Sequence, residues 1–216
     1  MHLANPEGVH FCFVGDRAIF LDLLRDRYTA TSPETAAALT RALRGNSILG
    51  VDEGHLEPLL NEGLLAITED PARALAETRQ VPAEREWGGL PPASLWLTMR
   101  HLAAQLQVFR DMKRIGLART IDVRSAFCPA LNRTFSPVRT VSAYRASNLI
   151  YSADQRCLLK SIALFGLLKR SGQMPALVLG VRDAPFAAHA WVELGDAVVS
   201  DLVEVISRYT PIMVRR

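Results

Sequence analysis

Apolar and polar positions follow two different rhythms along this chain. In the first third the apolar residues come in short runs, V-H-F-C-F-V, A-I-F-L-D-L-L and R-Y-T-A-T, interrupted by Gly15-Asp16-Arg17 and Arg25-Asp26. Short apolar runs separated by turn residues predict a three-stranded meander. Cys12 falls within that alternation and reads as packing. Ser32-Pro33-Glu34 then predicts a helix start, with Ser32 as N-cap, proline at the first helical position, and Ala36, Ala37, Leu39 and Leu43 leading to a stop near Gly45. A second helix is expected from Asp52 through Leu56, Leu59 and Leu60 to Gly63, with L-L-A-I-T after it as a returning strand or wing. Strands followed by short helices and a wing predict a small winged-helix-like domain over residues 1–70.

Residues 71–92 have linker composition, with a helical turn or two near 72–79, and Trp87 reads as docking the linker onto a second domain of residues 93–216. There the rhythm changes to helical. Leu95, Trp96, Met99, Leu102, Ala103, Leu106, Phe109 and Met112 recur at helical spacing before Gly116, which predicts a long amphipathic helix with that stripe turned to the core. His101 lies off the stripe and reads as solvated or capping, and Arg110, Lys113 and Arg114 as a wet C-terminal face. Residues 120–137 are less legible, with Cys128 before Pro129 reading as loop or core; 140–149 predicts another short helix.

The stretch 151–172, Y-S-A-D-Q-R-C-L-L-K-S-I-A-L-F-G-L-L-K-R-S-G, predicts a helix bounded at both ends. Ser152 or Asp154 can cap it, Gln155 stands three residues after Ser152 as in a capping box, and Gly172 suits a left-handed stop. Few polar residues interrupt it beyond Lys160 and Lys169, so the helix is expected to be central and covered on several sides. Three strand-like runs follow, A-L-V-L-G-V-R, H-A-W-V-E-L and A-V-V-S-D-L. A helix followed by an antiparallel sheet is an α+β layout.

Candidate chemistry begins with Cys157 in the first turn of that helix. Backbone N–H groups and the positive end of the helix dipole favour a thiolate there, and Arg156 adds a cation. A buried free cysteine is otherwise a small hydrophobe; what distinguishes this one is His189 and then Asp201 downstream, an imidazole to take the proton and a carboxylate to orient the ring. On the middle strand His189, Trp191 and Glu193 share one face and Ala188, Ala190, Val192 and Leu194 the other. A two-residue Gly195-Asp196 turn would pair Ala190 with Asp201 and turn the carboxylate away from His189. The expectation is therefore an odd-length connection, such as a three-residue Leu194-Gly195-Asp196 loop, or a bulge; otherwise Glu193 or a residue from another element must take the aspartate's place.

Composition narrows the function classes. With 49% hydrophobic and 22% charged residues in 216, the chain reads as one large or two small soluble domains. It opens without a signal peptide and has no apolar run long enough to cross a bilayer, which places it in the cytoplasm. Three cysteines at unpatterned spacings indicate neither a disulfide framework nor a metal site. Residues 1–80 carry seven Lys/Arg against twelve Asp/Glu, and 81–216 eighteen against ten, so the two parts stand at −5 and +8. The would-be recognition helix presents Asp52, Glu53, Glu57 and Glu62 and no cation, which disfavours nucleic acid and favours peptide capture by strand addition.

At these residues the chain resembles the transglutaminase-like branch of the papain-type fold. R-C-L-x-x-S-x-A-L followed by H-A-W-V-E and then D, with L-D-L-L-R-D-R-Y near the start, is similar more narrowly to the leader peptidases of lasso peptide biosynthesis, over essentially the whole chain. The resemblance implies a first domain that holds the leader of a ribosomally made precursor peptide as an added strand, and a second that cuts between leader and core in a bacterial cytoplasm. Cys157 would attack, His189 would shuttle the proton, Asp201 would fix the imidazole tautomer, and the Cys157 N–H would donate to the oxyanion. Arg27, Tyr28, Thr29 and Ala30 would present the edge, with Leu60 or Leu64 lining an apolar groove. A lasso cyclase is the implied partner, and neither metal nor cofactor is expected in the chain. ATP, associated with activity in that family, would act through the cyclase, because no G-x-x-x-x-G-K loop is present. An acyltransferase or amidase with the same triad, and a non-catalytic peptide-binding scaffold, are the competing readings.

Overall fold

The computed structural model describes residues 2–45, 53–70, 75–78, 83–126, 136–150 and 156–216. The chain divides into two compact units: Met1–Arg79 with Val181–Ala187 and Thr210–Met213, and Gln80–Gly180 with Ala188–Tyr209 and Val214–Arg216. Both helices and strands are present throughout, so the architecture is mixed α+β. Among the described residues no helix is long and apolar enough to cross a membrane.

In the first unit the expected meander forms from β2 (Val9–Val14), β3 (Arg17–Asp22) and β4 (Arg27–Ala30), in the order β2-β3-β4. Phe11 and Phe20 face each other across β2 and β3 and stack with ring centroids 5.3 Å apart, the cross-strand aromatic pairing that holds a small sheet in register. Helix α1 (Pro33–Gly45) starts where the cap requires, with the Ser32 hydroxyl accepting the Thr35 N–H at 3.2 Å. Helix α2 (Glu53–Asn61) follows, and its expected cap Asp52 lies outside the described residues. Leu39, Leu56 and Leu59 close a core around Phe11 and Phe20.

Two features of this unit depart from expectation. The L-L-A-I-T segment does return as a strand, β5 (Ala66–Thr68), but it pairs antiparallel with β1 (His2–Ala4), a segment for which no strand was expected. Three residues alternate too briefly to declare a strand without their partner. No helical turn is found at residues 75–78; the Leu75 N–H donates to the Leu3 carbonyl and the Thr78 N–H to the Phe11 carbonyl. Backbone donors committed to distant carbonyls cannot close a helical turn.

The second unit gathers α3 (Leu95–Ile115), α4 (Leu117–Ser125), α5 (Pro137–Ile150) and α6 (Cys157–Arg170), and the chain's five-stranded sheet has the order β10-β7-β8-β9-β6. Its strands are β6 (Arg85–Glu86), β7 (Pro175–Arg182), β8 (Ala187–Leu194), β9 (Ala197–Val198) and β10 (Thr210–Arg215), with the short helix α7 (Val203–Ile206) before the last. Cys128 lies outside the described residues. Trp87 enters through its backbone, its N–H donating to the Val198 carbonyl and its own carbonyl accepting from Arg145 at 2.8 Å. Helix α6 is buried continuously from Lys160 to Leu168, as its composition predicts, although Lys160 is itself buried. It ends in paired C-terminal bonds, Gly172 N–H to Lys169 O and Gln173 N–H to Leu168 O, with Gly172 at φ 79°. That is the left-handed stop in which glycine avoids a Cβ clash.

Helix α3 overturns the expected facing. Its buried residues are Leu97, Thr98, His101, Ala104, Gln105 and Val108, while the greasier stripe is turned outward. His101 is fully buried rather than solvated or capping. Its Nδ1 accepts from the Gln105 amide at 2.9 Å and lies 3.3 Å from the Ser147 hydroxyl, and its ring meets Tyr144 edge-on. A polar cluster bonded through the His101 Nδ1, with the buried Nε2 left without a hydrogen-bond partner among the described residues, therefore fills the interface that periodicity assigned to the apolar row.

Burial, and then the charge of Lys160, lower the His101 pKa to about 4. Its folded value is below its ordinary one, so the stability it contributes is present above 6.5 and is lost as pH falls to about 4. Urea unfolding of wild type is expected to weaken by about 3 kcal/mol more over that interval than unfolding of His101→Leu. Parallel pH slopes in the two proteins would remove the assignment.

Candidate active site

Cys157 is the first residue of α6, with Arg156 in the N-cap position at φ −127° and no side-chain cap bond. The expected caps Ser152 and Asp154, and Gln155, lie outside the described residues. The helix is tied to β8 one turn further on, where the buried Ser161 hydroxyl donates to the Ala190 carbonyl at 2.9 Å. The Ala190 N–H in turn bonds the Cys157 sulfur. Both bonds go to the residue after His189, so the cysteine and the histidine are held by the same stretch of backbone.

His189 Nε2 and Asp201 Oδ2 are 2.6 Å apart. With Nε2 committed to the carboxylate, Nδ1 is the nitrogen left for the hydrogen bond between the imidazole and Cys157. Burial works against the thiolate, but the His189 hydrogen bond and charge, with the N–H groups of Ala190 and Leu158, outweigh it and hold the Cys157 pKa below its ordinary value. Burial likewise works against the imidazolium, yet the Asp201 hydrogen bond and the sulfur raise the His189 pKa to about 9. The structure thus brings Cys157, His189 and Asp201 together, in an arrangement that favours a thiolate beside an imidazolium. Cys12, by contrast, is buried in the first unit, where burial and the Glu77 carboxylate push its thiol up to about 12.

Asp201 reaches the ring by a route the register argument did not foresee. The turn is the two-residue Gly195-Asp196, with Leu194 opposite Ala197 and Glu193 opposite Val198; neither an odd-length loop nor a bulge supplies the change of face. Instead β9 stops at Val198, and after the Val199 N–H bonds the Val192 carbonyl the chain bends away through 199–201. The Val192 N–H takes the Ser200 hydroxyl at 2.8 Å in place of a backbone carbonyl. The alternation rule fails because the ladder no longer exists where Asp201 begins. Glu193, the stand-in had the aspartate faced away, is buried and accepts the Trp191 indole N–H at 2.8 Å.

Aromatic groups flank the imidazole. Tyr209 lies 5.2 Å and Trp191 6.3 Å from it, centroid to centroid. Trp191 packs so closely on β7 that a Cβ at Gly180 would fall 2.6 Å from its ring and 3.0 Å from the Tyr209 Cβ. Gly180→Ala is therefore expected to cost about 1–3 kcal/mol by overpacking, read as a lowered urea midpoint, with a slower reaction as the surface under His189 shifts. An unchanged midpoint would show that the strand can move aside at no cost.

Tyr144, Ser161, Ser200 and Tyr209 are the site-lining residues that sequence reasoning missed. Burial raises the Tyr144 pKa to about 12, its hydroxyl bonds Asn148 and Ser200, and it feels the charges of Asp201 and Cys157. Ser161 stood in the quoted R-C-L-x-x-S motif, but the other three carry no local signal. Of the expected peptide-binding residues, Arg27, Tyr28, Thr29 and Ala30 form β4, an edge strand of the first unit's sheet. Leu60 packs partly buried against that unit's core, and Leu64 is a member of it.

A family model described as the transglutaminase-like superfamily matches residues 79–214. No curated protein and no solved structure matches the chain. A match over more than half the sequence, covering the helix that carries Cys157 and the strands that carry His189 and Asp201, makes this chain a member of the transglutaminase-like superfamily.

Proposed function

We propose that this protein is a cysteine peptidase that holds the leader of a ribosomally made lasso precursor peptide and cleaves it from the core before macrocyclisation. The observation that carries the reading is the 2.6 Å His189 to Asp201 contact on a ring whose other nitrogen serves Cys157. The Cys157 thiolate attacks the scissile carbonyl, and the oxyanion takes the Cys157 N–H. His189 passes its proton to the departing amine, leaving a thioester and the freed core N-terminus. Water, deprotonated by His189, then attacks the thioester and releases the leader as a carboxylic acid with the thiol restored. Asp201 holds one imidazole tautomer through both halves. The lasso cyclase takes the freed amine, and ATP acts through that partner.

The leader reading rests on the similarity of R-C-L-x-x-S-x-A-L, H-A-W-V-E and L-D-L-L-R-D-R-Y to lasso leader peptidases, with the first unit as a winged-helix-like recognition domain. The β4 edge supports it physically. Thr31 N–H donates to the Ala18 carbonyl, and alternation along the ladder then points the Thr29 and Arg27 N–H groups at β3 and the Ala30 N–H away from it. That outward row can take an added strand. Ala30→Pro is expected to weaken leader binding about tenfold, the worth of one lost backbone bond, while cleavage of a short peptide spanning only the scissile bond proceeds at the wild-type rate. Unchanged leader affinity would place recognition elsewhere.

The superfamily's transferase chemistry is the second reading, because an amine can replace water on the same thioester. Incubating the chain and its cyclase with precursor peptide, and following mass, separates the two. Loss of the leader mass supports the peptidase; a mass gain on an added amine supports the transferase; intact peptide that still binds reduces the chain to a scaffold.

A further inference from the structure

The long helix of the second unit carries an apolar face that its own packing leaves uncovered. Leu95, Trp96, Met99, Leu106 and Phe109 are 74%, 58%, 56%, 50% and 40% exposed. Their spacing is ordered. Leu95, Met99, Leu102, Leu106 and Phe109 follow one another at alternating intervals of four and three, the repeat that seats another helix by knobs-into-holes packing. A contiguous row of large apolar side chains on a solvent-facing helix marks an interaction surface.

Charge selects the partner. Arg100, Arg110, Lys113 and Arg114 border the row, and two of these cations are drawn over it, Arg100 at 5.5 Å from the Trp96 ring centre and Lys113 at 4.6 Å from that of Phe109. The helix has a single carboxylate, Asp111, which binds Arg124 at 2.5 Å. The exposed face therefore offers apolar side chains and cations and almost nothing negative.

We propose that α3 is a docking helix for an acidic amphipathic helix of a partner protein, apolar along one seam and carrying Glu or Asp beside it. A second copy of this chain is the poorer occupant, since α3 against α3 in either direction sets Arg and Lys opposite no matching carboxylates.

The test uses the full chain and two synthetic 21-residue helical peptides with leucine along one 4-3 seam, flanked by glutamate in one and lysine in the other. The glutamate peptide is expected to bind, followed by anisotropy of a dye on the peptide, and the lysine peptide at least about tenfold more weakly. Met99→Ser with Leu106→Ser should weaken the glutamate peptide about tenfold or more without moving the unfolding midpoint, both side chains being solvent-facing. Arg110→Glu with Lys113→Glu should reverse the preference between the peptides. Equal binding of both peptides, or affinity indifferent to the Met99 and Leu106 substitutions, overturns the proposal. So does an outcome in which neither peptide binds and the chain instead sediments with phosphatidylglycerol vesicles, or forms a dimer that Met99→Ser with Leu106→Ser dissociates.

Discussion

Cys157→Ala is expected to reduce cleavage of the precursor by about four orders of magnitude, with the urea midpoint essentially unchanged and precursor still bound. The sulfur supplies the covalent step itself, and loss of a nucleophile is the most damaging single change to a triad because the remaining members cannot act without it. Folding is spared because the thiol is only partly buried at the end of α6, whose packing begins in earnest at Lys160. Single-turnover assays by mass, with wild type and variant at matched concentration, provide the comparison. A variant retaining a tenth or more of the wild-type rate would assign the chemistry to another group.

Asp201→Asn should lower kcat by about 10²- to 10⁴-fold and also move the pH profile, which a purely structural loss would not do. In wild type the thiol ionises below its ordinary pKa, and His189 keeps its proton up to about 9. The thiolate and imidazolium therefore coexist above the first value and below the second. Activity rises with pH as the thiol ionises, levels off, and declines through about 9 as the ring deprotonates. Removing the Asp201 charge and its hydrogen bond takes away the leading group that raises the His189 pKa, so the descending limb must move toward 6.5, the ordinary value. A lower rate with the descending limb unmoved would mean that Asp201 supports the loop rather than the ring.

The elements legible in the sequence are those decided within a few residues of themselves. The meander follows from its short runs and turn residues, α1 from Ser32 and Pro33, and the end of α6 from Gly172 with its paired C-terminal bonds. Cys157 at a helix start and His189 within a strand are also local facts, and the 2.6 Å contact adds to them what order along the chain could only suggest. The facing of α3 was not legible because two rows on that helix have helical spacing, and the row that packs is chosen by its neighbours. Gln105 and Ser147 give the buried His101 polar contacts at Nδ1 on the row that packs, and the more apolar row faces solvent.

Capping, turn chemistry and the two periodicities act over one to four residues, and so the chain alone set where its principal helices and strands run and which of them bear the sulfur and the imidazole. Whether those groups meet depended on events with no local cost to read: β9 leaving its ladder after Val198, Ser200 replacing a backbone carbonyl, and Ser161 clamping α6 to β8. The two bonds join residues eight and twenty-nine positions apart, and a residue's own pattern cannot say which distant partner will satisfy it. Tertiary packing made that choice, because burying a polar group without a partner is costly and only the folded chain brings partners this far apart in sequence together.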